Sequence, residues 1–417
     1  MRAVFSPSEA RGTVSAVPSK SHAHRLLIAA ALADAPCRVV CPVTSRDIEA
    51  TVGCLNALGA AVTRAGDGYD VVPADRGALP ETALLDCGES GSTLRFLLPV
   101  ACALGEKSTF TGGGRLPSRP IAELAKTLRE GGIRLSADSL PLTTEGTLSG
   151  NVFRVNAAVS SQYVSGMLFA LAATGRECTL CTEGEAVSRG YTEMTLDALA
   201  LFGKKIECRD GAYLIPAGAL RSPSEVRAEG DWSNAAFMLA AGALTGDVTV
   251  TGLSQVSTQR DRLITDVLAR MGAAVTAENG SCRVSKSPLH GVSVDITDTP
   301  DMAPVLSVLM AQAKGESVMT GVGRLKDKES DRLAAIMHNL SAMGVSSSAE
   351  GDSLVIRGGG IKPFEAKGFN DHRMVMSAAV AGIAAGGSTD DAEAVKKSYP
   401  GFFDDLKQLG GAVYETI

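Results

Sequence analysis

The sequence is poor in aromatic side chains and has no excess of positive charge. Phe, Trp and Tyr make up 4% of the 417 residues, and Trp232 is the one tryptophan. Proteins that bind single-stranded nucleic acid need aromatic faces for base stacking, and polyanion binders need surplus cations. Because 40 basic residues stand against 46 acidic ones, the net charge is -6 at pH 7. We therefore expect no nucleic-acid partner.

The chain also lacks a long apolar run and an organised set of cysteines. The longest uncharged stretch, residues 155–175, contains several serines, which is not typical of a membrane span, and the first residues lack the apolar segment of a signal peptide. Nine cysteines, of which only Cys178 and Cys181 have C-x-x-C spacing with no nearby histidine, indicate scattered core thiols rather than a zinc or redox site. The phosphate-binding pattern G-x-x-x-x-G-K-[ST] is absent, which disfavours a nucleotide triphosphatase. We expect a cytoplasmic protein with no membrane partner.

What the sequence does contain is a sixfold repeat. Helix-like Ala/Leu runs end in a turn residue at intervals of 69 to 71 residues, namely at Asp34, Gly105, Gly175, Gly246, Gly315 and Gly386. A second marker, Leu-x-x-x-Gly, ends at Gly59, Gly132, Gly203, Gly272, Gly344 and Gly410. This second marker predicts amphipathic helices that close on a left-handed glycine. Each unit of about 70 residues is therefore predicted to run strand, helix, strand, helix, and then a strand or hairpin.

The first helix of each unit is distinguished by its lack of charge. Residues 25–33, 235–244 and 374–385 are nearly free of charge on every side. Helices of this kind are buried on every side, whereas helices of doubly wound repeats usually hide only one stripe. The sequence thus predicts an α/β fold with two pseudo-threefold domains, in which the sheets form the outer faces and the first helices pack inside.

Basic residues collect near the starts and turns of these buried helices. Five clusters lie at residues 18–25, 115–120, 326–332, 370–373 and 396–400. One charge run by itself is more often a solvated surface, but recurrence beside uncharged helices is a stronger signal. Helix N-termini offer free N–H groups to phosphate and carboxylate. The pattern favours binding of small, multiply charged anions; His22 and His24, two residues apart, do not form a helical metal pair.

An ordered set of motifs runs along the chain: Ser19-Lys20-Ser21 with Arg25, Gly91-Ser92-Thr93 with Arg95, Arg119-Pro120, Ser160-Ser161-Gln162, Pro300-Asp301, Lys328-Glu329-Ser330-Asp331-Arg332, Asn370-Asp371-His372-Arg373-Met374, and Lys397 with Pro400. Taken in this order, the motifs resemble those of the EPSP synthase (3-phosphoshikimate 1-carboxyvinyltransferase) family over essentially the whole chain. The resemblance implies a two-domain inside-out α/β barrel, the enolpyruvyl transferase fold, with six βαβαββ repeats, three per domain. It implies one domain at residues 11–227, a second at 1–10 plus 228–417, and a two-strand hinge.

The resemblance also implies an activity in aromatic amino acid biosynthesis, the transfer of enolpyruvate from phosphoenolpyruvate to the 5-hydroxyl of shikimate 3-phosphate. The residues expected to bind shikimate 3-phosphate are Lys20, Ser21, Arg25, Ser160, Ser161, Ser188, Tyr191, Asp301 and Lys328. Those expected to bind phosphoenolpyruvate are Lys20, Gly91, Arg119, Gln162, Arg332, Arg373 and Lys397, with His372 in support. Asp301 is expected to act as base, Glu329 as proton carrier and Lys20 as electrostatic stabiliser, in a monomer with no metal or cofactor.

Two departures and three alternatives accompany this interpretation. Glu89 stands where many members carry Asn, and Arg324 where some carry Asn, so no substrate contact is transferred to either position. The sister enzyme that acts on UDP-N-acetylglucosamine has a Cys in the loop before its Arg-Pro, and residues 112–120 contain none. An RNA 3'-terminal phosphate cyclase would need an exposed basic face. A non-catalytic repeat scaffold would have no use for so many phosphate-suited residues.

Overall fold

The computed structural model describes residues 1–105 and 107–416, so the predicted end of the second domain, Ile417, lies outside the described residues. The chain divides into two compact units. The central unit is Lys20–Ala228, and the terminal unit combines Met1–Ser19 with Glu229–Ile417. Each unit has its own hydrophobic core. Within the described ranges, no helix is both long and apolar enough to cross a bilayer.

The α-helices alternate between two kinds along the chain. In order they are α1 (Lys20–Ala31), α2 (Arg46–Ala57), α3 (Gly91–Leu104), α4 (Ala122–Glu130), α5 (Ser161–Ala173), α6 (Arg189–Leu201), α7 (Trp232–Thr245), α8 (Ile264–Arg270), α9 (Ala303–Gln312), α10 (Arg332–Ala342), α11 (His372–Ala385) and α12 (Phe402–Gln408). The odd-numbered helices are the predicted buried ones. In α7 every residue is buried, which confirms the expectation drawn from its lack of charge.

The strands form six four-stranded sheets. They are β1 (Arg2–Ser6), β2 (Arg11–Ser15), β3 (Cys37–Val40), β4 (Ala61–Ala65), β5 (Gly68–Val72), β6 (Thr82–Asp86), β7 (Lys107–Thr111), β8 (Arg134–Leu135), β9 (Leu142–Glu145), β10 (Val152–Asn156), β11 (Cys178–Glu183), β12 (Glu207–Arg209), β13 (Ala212–Ile215), β14 (Glu225–Arg227), β15 (Asp247–Thr251), β16 (Ala274–Glu278), β17 (Ser281–Ser285), β18 (Ser293–Asp295), β19 (Gly315–Thr320), β20 (Ser346–Glu350), β21 (Ser353–Gly358), β22 (Phe364–Ala366), β23 (Gly387–Thr389) and β24 (Ala412–Thr416).

Three sheets are each formed by one consecutive βαβαββ unit, and the other three take one of their four strands from a distant part of the chain. In the sheet β6-β7-β9-β8, for example, β6 runs parallel to β7, which pairs antiparallel with β9, and β9 with β8. The other orders are β14-β3-β5-β4 and β10-β11-β13-β12 in the central unit, with β16-β17-β15-β2, β18-β19-β21-β20 and β22-β23-β1-β24 in the terminal unit. Three repeats per unit and six in total confirm the predicted fold class.

The glycines that closed the predicted amphipathic helices adopt the expected backbone conformation. All six members of the second marker have a positive φ, between 75° for Gly344 and 97° for Gly410. A side chain is disfavoured there because Cβ would approach the backbone, so glycine is the residue that ends each outer helix at low cost. The repeat could therefore be identified from sequence because its helix ends require one particular residue.

The predicted domain boundary at residue 11 differs from the structure. Strand β2, placed by the prediction in the domain 11–227, belongs to the terminal unit because it pairs in parallel with β15 over five residues, from Arg11 opposite Asp247 to Ser15 opposite Thr251. Strand β1 similarly lies between β23 and β24. The two N-terminal strands thus complete two sheets of the terminal unit, and the central unit begins at Lys20.

Candidate active site

The first two turns of α1 bring Lys20 and Arg25 into the interior of the central unit. Lys20 Nζ lies 2.8 Å from Asp47 Oδ2, and the two side chains are only 13% and 12% exposed. The backbone carbonyl of Asp47 accepts a 3.4 Å hydrogen bond from Thr93 Oγ1, which links α2 to the start of α3. Lys20 is therefore held by one carboxylate next to two helix N-termini. Nothing in the sequence motifs pointed to Asp47 as its partner.

Among the described residues, the groups that contact the buried cation Arg25 are all neutral. Its Nε donates to Thr195 Oγ1 at 2.8 Å, while its guanidinium also donates to the carbonyls of Tyr191 at 2.8 Å and Ser21 at 2.6 Å. Its Cζ lies 4.9 Å from the centre of the Phe96 ring. Burial lowers the pKa of Arg25 to about 9, which Tyr191 opposes only in part. A positive charge so placed gains from an anionic ligand.

Gly91 lies at the first residue of α3, against two arginines. A Cβ at Gly91 would lie 2.5 Å from Arg119 Nη1 and 2.6 Å from Arg95 Nη1. Arg95 Nη1 donates to Gln162 Oε1 at 3.0 Å, and Gln162 Nε2 donates to Ser92 Oγ at 2.9 Å. The absence of a side chain at Gly91 thus lets both guanidinium groups approach the N-terminus of α3, where free N–H groups already favour an anion.

The predicted serines lie at the starts of α5 and α6. Ser160 caps α5, its Oγ accepting a 3.2 Å hydrogen bond from the Gln162 N–H, and Ser161 is buried beside it. Ser188 precedes α6 with φ 51° and ψ 46°, in the left-handed region, and is 2% exposed. A non-glycine residue in this conformation is uncommon, and such strain concentrates at ligand sites. The Tyr191 N–H donates to the Ser188 carbonyl, which joins Ser188 to the Arg25 contacts.

In the terminal unit, Asp301 is surrounded by three cations. Its Oδ1 lies 2.8 Å from Arg332 Nη1 and 3.3 Å from Lys328 Nζ, and its Oδ2 lies 3.2 Å from Arg373 Nη2. Burial alone would raise the pKa of Asp301, but Arg373, Lys328 and Arg332 outweigh burial and hold the pKa well below its usual range. Burial in turn lowers the pKa of Lys328, against the attraction of Asp301. Asp301 is therefore an ionised carboxylate at neutral pH.

Arg332, at the start of α10, contacts three carboxylates at once. Besides Asp301 it donates to Asp371 Oδ2 from Nε at 2.8 Å and to Glu329 Oε2 from Nη2 at 2.8 Å. Ser330 Oγ also donates to Asp371, at 3.0 Å. The pairing of Glu329 with Arg332 is the i,i+3 contact expected of a surface salt bridge, yet Arg332 is 1% exposed and Glu329 precedes the helix. The pair is part of a buried network, not a solvated helix face.

Lys397 and His372 occupy the edges of the same network. Lys397 Nζ donates to the Asn370 carbonyl at 2.6 Å, and Asn370 itself has a left-handed φ of 51°. His372 is buried at the first residue of α11, with Nδ1 3.8 Å from Asp371 Oδ1. Asp371 also caps α11, its Oδ1 accepting from the Arg373 N–H at 3.0 Å. The sequence motif contained Asp371 but did not reveal its part in holding Arg332.

The predicted site residues thus form two clusters, each within one unit. The central cluster comprises Lys20, Ser21, Arg25, Gly91, Arg119, Ser160, Ser161, Gln162, Ser188 and Tyr191. The terminal cluster comprises Asp301, Lys328, Glu329, Arg332, His372, Arg373 and Lys397. Both clusters gather cations at helix starts, which suits binding of phosphate and carboxylate groups. The terminal cluster adds two carboxylates, Asp301 and Glu329, on the same arginine.

Six βαβαββ sheets around buried helices, with cation-rich helix starts, define an enolpyruvyl transferase fold. Solved structures with this fold include EPSP synthase from Acinetobacter baumannii, with a TM-score of 0.83, 24% identity and 99% of each chain covered. The enolpyruvyl transferase NikO from Streptomyces tendae has a TM-score of 0.76 and 19% identity, over 100% of this chain and 98% of that one.

Comparison of sequences identifies the family. The profile of EPSP synthase (3-phosphoshikimate 1-carboxyvinyltransferase) matches residues 4–406, and the chain belongs to this family. A relative from Aeropyrum pernix, named 3-phosphoshikimate 1-carboxyvinyltransferase, is 40% identical over 99% of this chain and 96% of its own length. One of the same name from Methanothrix thermoacetophila is 39% identical over 98% of each chain.

Proposed function

We propose that this protein transfers the enolpyruvyl group of phosphoenolpyruvate to the 5-hydroxyl of shikimate 3-phosphate and releases inorganic phosphate. The observation that carries the proposal is the terminal cluster, where Asp301 and Glu329 share Arg332 while three cations surround Asp301. Two carboxylates for proton transfer, embedded among groups that neutralise anions, fit addition of a hydroxyl to an anionic enol ester. The names of relatives up to 40% identical support the same reaction.

The substrate contacts follow from the charge of each cluster. We assign shikimate 3-phosphate to the central cluster around Arg25, because that buried guanidinium contacts only neutral groups in the described residues and its burial is relieved by a phosphate. Lys328 and Asp301 would meet the ring hydroxyl that reacts. We assign phosphoenolpyruvate to Lys20, Gly91, Arg119, Gln162, Arg332, Arg373 and Lys397. Two substrates with a phosphate and a carboxylate each need this number of fork-shaped and mobile cations.

The carboxylates divide the proton transfers in this proposal. Asp301 accepts the proton of the 5-hydroxyl, and Glu329 delivers a proton to the vinyl carbon, giving a tetrahedral intermediate. This intermediate loses phosphate and one proton of its new methyl group, which Glu329 takes back, to give the enolpyruvyl ether. In the unliganded protein the surrounding cations make Asp301 a weak base. Anionic substrates that bind Arg332, Arg373 and Lys328 would offset their positive charge. The proton affinity of Asp301 would then rise when the hydroxyl is in place. Lys20 stabilises the negative charge that develops during addition.

One experiment separates this function from its nearest alternative. Phosphate release from phosphoenolpyruvate is measured with shikimate 3-phosphate or UDP-N-acetylglucosamine as acceptor. We expect turnover with shikimate 3-phosphate alone, and turnover confined to UDP-N-acetylglucosamine would overturn the proposal. A separate assay incubates the protein with ATP and an RNA oligonucleotide that ends in a 3'-phosphate. ATP-dependent cyclisation of this end would indicate the cyclase instead.

We also propose that the protein works in the cytoplasm as a monomer. The cysteines, all of them free thiols and seven of them buried, support a reducing compartment. Cell fractionation tests the compartment in which the protein is found, and light scattering coupled to gel filtration measures its molecular mass. A mass of twice 42.9 kDa would contradict the monomer.

A further inference from the structure

A buried aspartate outside the predicted site lies close to the terminal cluster. Asp261 belongs to a short 3-10 turn, Arg260–Leu263, and is 3% exposed. Its Oδ1 is buried without a hydrogen-bond partner. The turn is anchored to the start of α7, because Gln259 Oε1 accepts from the Trp232 N–H at 3.1 Å and Gln259 Nε2 donates to the Gly230 carbonyl at 2.8 Å. A buried carboxyl oxygen without a hydrogen-bond partner destabilises the fold, so its presence here needs a functional explanation.

A chain of polar contacts connects this aspartate to Asp301. The 3-10 turn packs against α7, and the Ser233 hydroxyl at the start of α7 interacts with the Asp261 carboxyl. Ser233 Oγ accepts from Arg373 Nη1 at 2.7 Å, and Arg373 Nη2 lies 3.2 Å from Asp301 Oδ2. Arg373 Nη1 also donates to the Asp301 carbonyl, at 3.2 Å. Since the Ser233 oxygen receives the arginine N–H, its own O–H is the group available to the carboxyl of Asp261.

We propose that Asp261 is a positioning residue, which acts as the acceptor that fixes the Ser233 hydroxyl and thereby orients Arg373 toward phosphoenolpyruvate and Asp301. The inference rests on the proposed function for the identity of the ligand. Arginine side chains have several rotatable bonds, so a guanidinium held at both ends loses less freedom when an anion binds. Removing the acceptor lets the Ser233 hydroxyl rotate, so that its oxygen no longer holds Arg373 Nη1 in one orientation.

The charges around Asp261 agree with a role of this kind. Burial first, and then the charge of Asp301, raise the pKa of Asp261 to about 6, with a further contribution from Asp231. Arg373 and the hydrogen bond with Ser233 oppose the rise. A carboxyl used mainly to neutralise Arg373 would have a lowered pKa, as Asp301 has. We therefore assign the effect of Asp261 to its hydrogen bond rather than to its charge.

The test compares Asp261→Ala, Asp261→Asn, Ser233→Ala and the double variant of the two alanine changes. Ser307→Ala is the matched control, because Ser307 is equally buried in the same unit and donates to the Pro304 carbonyl. The readouts are kcat, KM for each substrate and the unfolding midpoint. The fluorescence of Trp232, which adjoins Ser233, gives the Kd of phosphoenolpyruvate and of inorganic phosphate without turnover. Absence of wild-type turnover would therefore refute the proposed function while the binding test remains valid.

We expect Asp261→Ala and Ser233→Ala each to raise KM and Kd for phosphoenolpyruvate about fivefold, the loss of one hydrogen bond. The double variant should be no weaker than either single variant, since both changes cut one chain. Asp261→Asn keeps an acceptor oxygen and should stay within about twofold of wild type, as should Ser307→Ala. KM for shikimate 3-phosphate should be unchanged throughout, a split that general loss of stability would not produce.

Several results would overturn the inference. They are a wild-type affinity for phosphoenolpyruvate in Asp261→Ala, multiplication of the two single effects in the double variant, and a loss in Asp261→Asn as large as in Asp261→Ala. If Asp261→Ala does not fold, the other variants decide. A fivefold loss in Ser233→Ala with a near-wild-type Asp261→Asn supports the chain, and wild-type affinity in Ser233→Ala overturns it.

Discussion

Replacing Gly91 with alanine would push two arginines away from the start of α3. The new Cβ would lie 2.5 Å from Arg119 Nη1, whereas ordinary contact begins at 3.4 Å, so the guanidinium must retreat by about 0.9 Å. Arg95 Nη1, at 2.6 Å, must move as well. Both are flexible side-chain ends, so the fold accommodates the change. The retreat is nonetheless large enough to break a hydrogen bond of ordinary length to a bound anion.

The size of the effect follows from that broken bond. A hydrogen bond to a charged group contributes about 1.5–3 kcal/mol, which corresponds to a roughly ten- to hundredfold weaker affinity. We expect Gly91→Ala to raise KM for phosphoenolpyruvate by this factor and to leave KM for shikimate 3-phosphate within about threefold. The folded state should not be weakened, because alanine is a better helix former than glycine by about 1 kcal/mol.

The assay is steady-state phosphate release with each substrate varied in turn, together with denaturant unfolding. Gly53→Ala is the matched control, because Gly53 lies within α2 of the same unit and a Cβ there meets nothing within 4 Å. The control should gain stability and keep both KM values. An unchanged KM for phosphoenolpyruvate in Gly91→Ala, or an equal rise for both substrates, would refute the reasoning that Gly91 makes room for Arg119 at that ligand.

Three further predictions concern charge. Arg25→Lys should raise KM for shikimate 3-phosphate at least about tenfold, because lysine cannot make the several hydrogen bonds of the guanidinium at once. The control Arg38→Lys, at an exposed ion pair, should leave this KM unchanged. Equal KM values in the two variants would contradict the prediction. Glu329→Gln should lower kcat about 10²- to 10⁴-fold with both KM values within about threefold, and a wild-type kcat would remove Glu329 from proton transfer. Asp261→Asn should raise the free energy of unfolding above pH 6 by up to about 3 kcal/mol. The reason is that the folded-state pKa of about 6 makes ionisation of Asp261 destabilise the wild-type fold as pH rises from about 4 through 6. The gain should vanish near pH 4, and a difference in denaturation midpoint that is independent of pH would contradict it.

The parts of the fold that could be predicted are those with a local requirement. The outer helices need a left-handed glycine at their ends, and the buried helices need a surface without charge, so both leave marks at each repeat. Strand β2 leaves no such mark, because its partner β15 is more than 230 residues away. A short run of alternating residues does not indicate which sheet it will join, and the predicted boundary at residue 11 was wrong for that reason.

The candidate site, like the fold, has a part that could be predicted from the sequence and a part that could not. Motifs identified the cations and Asp301 because the family keeps them at fixed spacing, and the structure places each beside others of the set. The partners that hold those cations could not be predicted. Asp47 faces Lys20 from another helix, and Asp261 reaches Arg373 only through Ser233, so their roles depend on packing rather than on local sequence.

The pairing of the N-terminal strands has a consequence for the order in which the chain can fold during synthesis. The central unit is continuous from Lys20 to Ala228, so its core can close before Glu229 is made. Strands β1 and β2 are made before this unit but pair later, because β15 follows β2 by about 230 residues and β24, a partner of β1, follows later still. Until then their edges are unpaired and open to wrong partners. The two N-terminal strands are thus made long before the strands with which they pair.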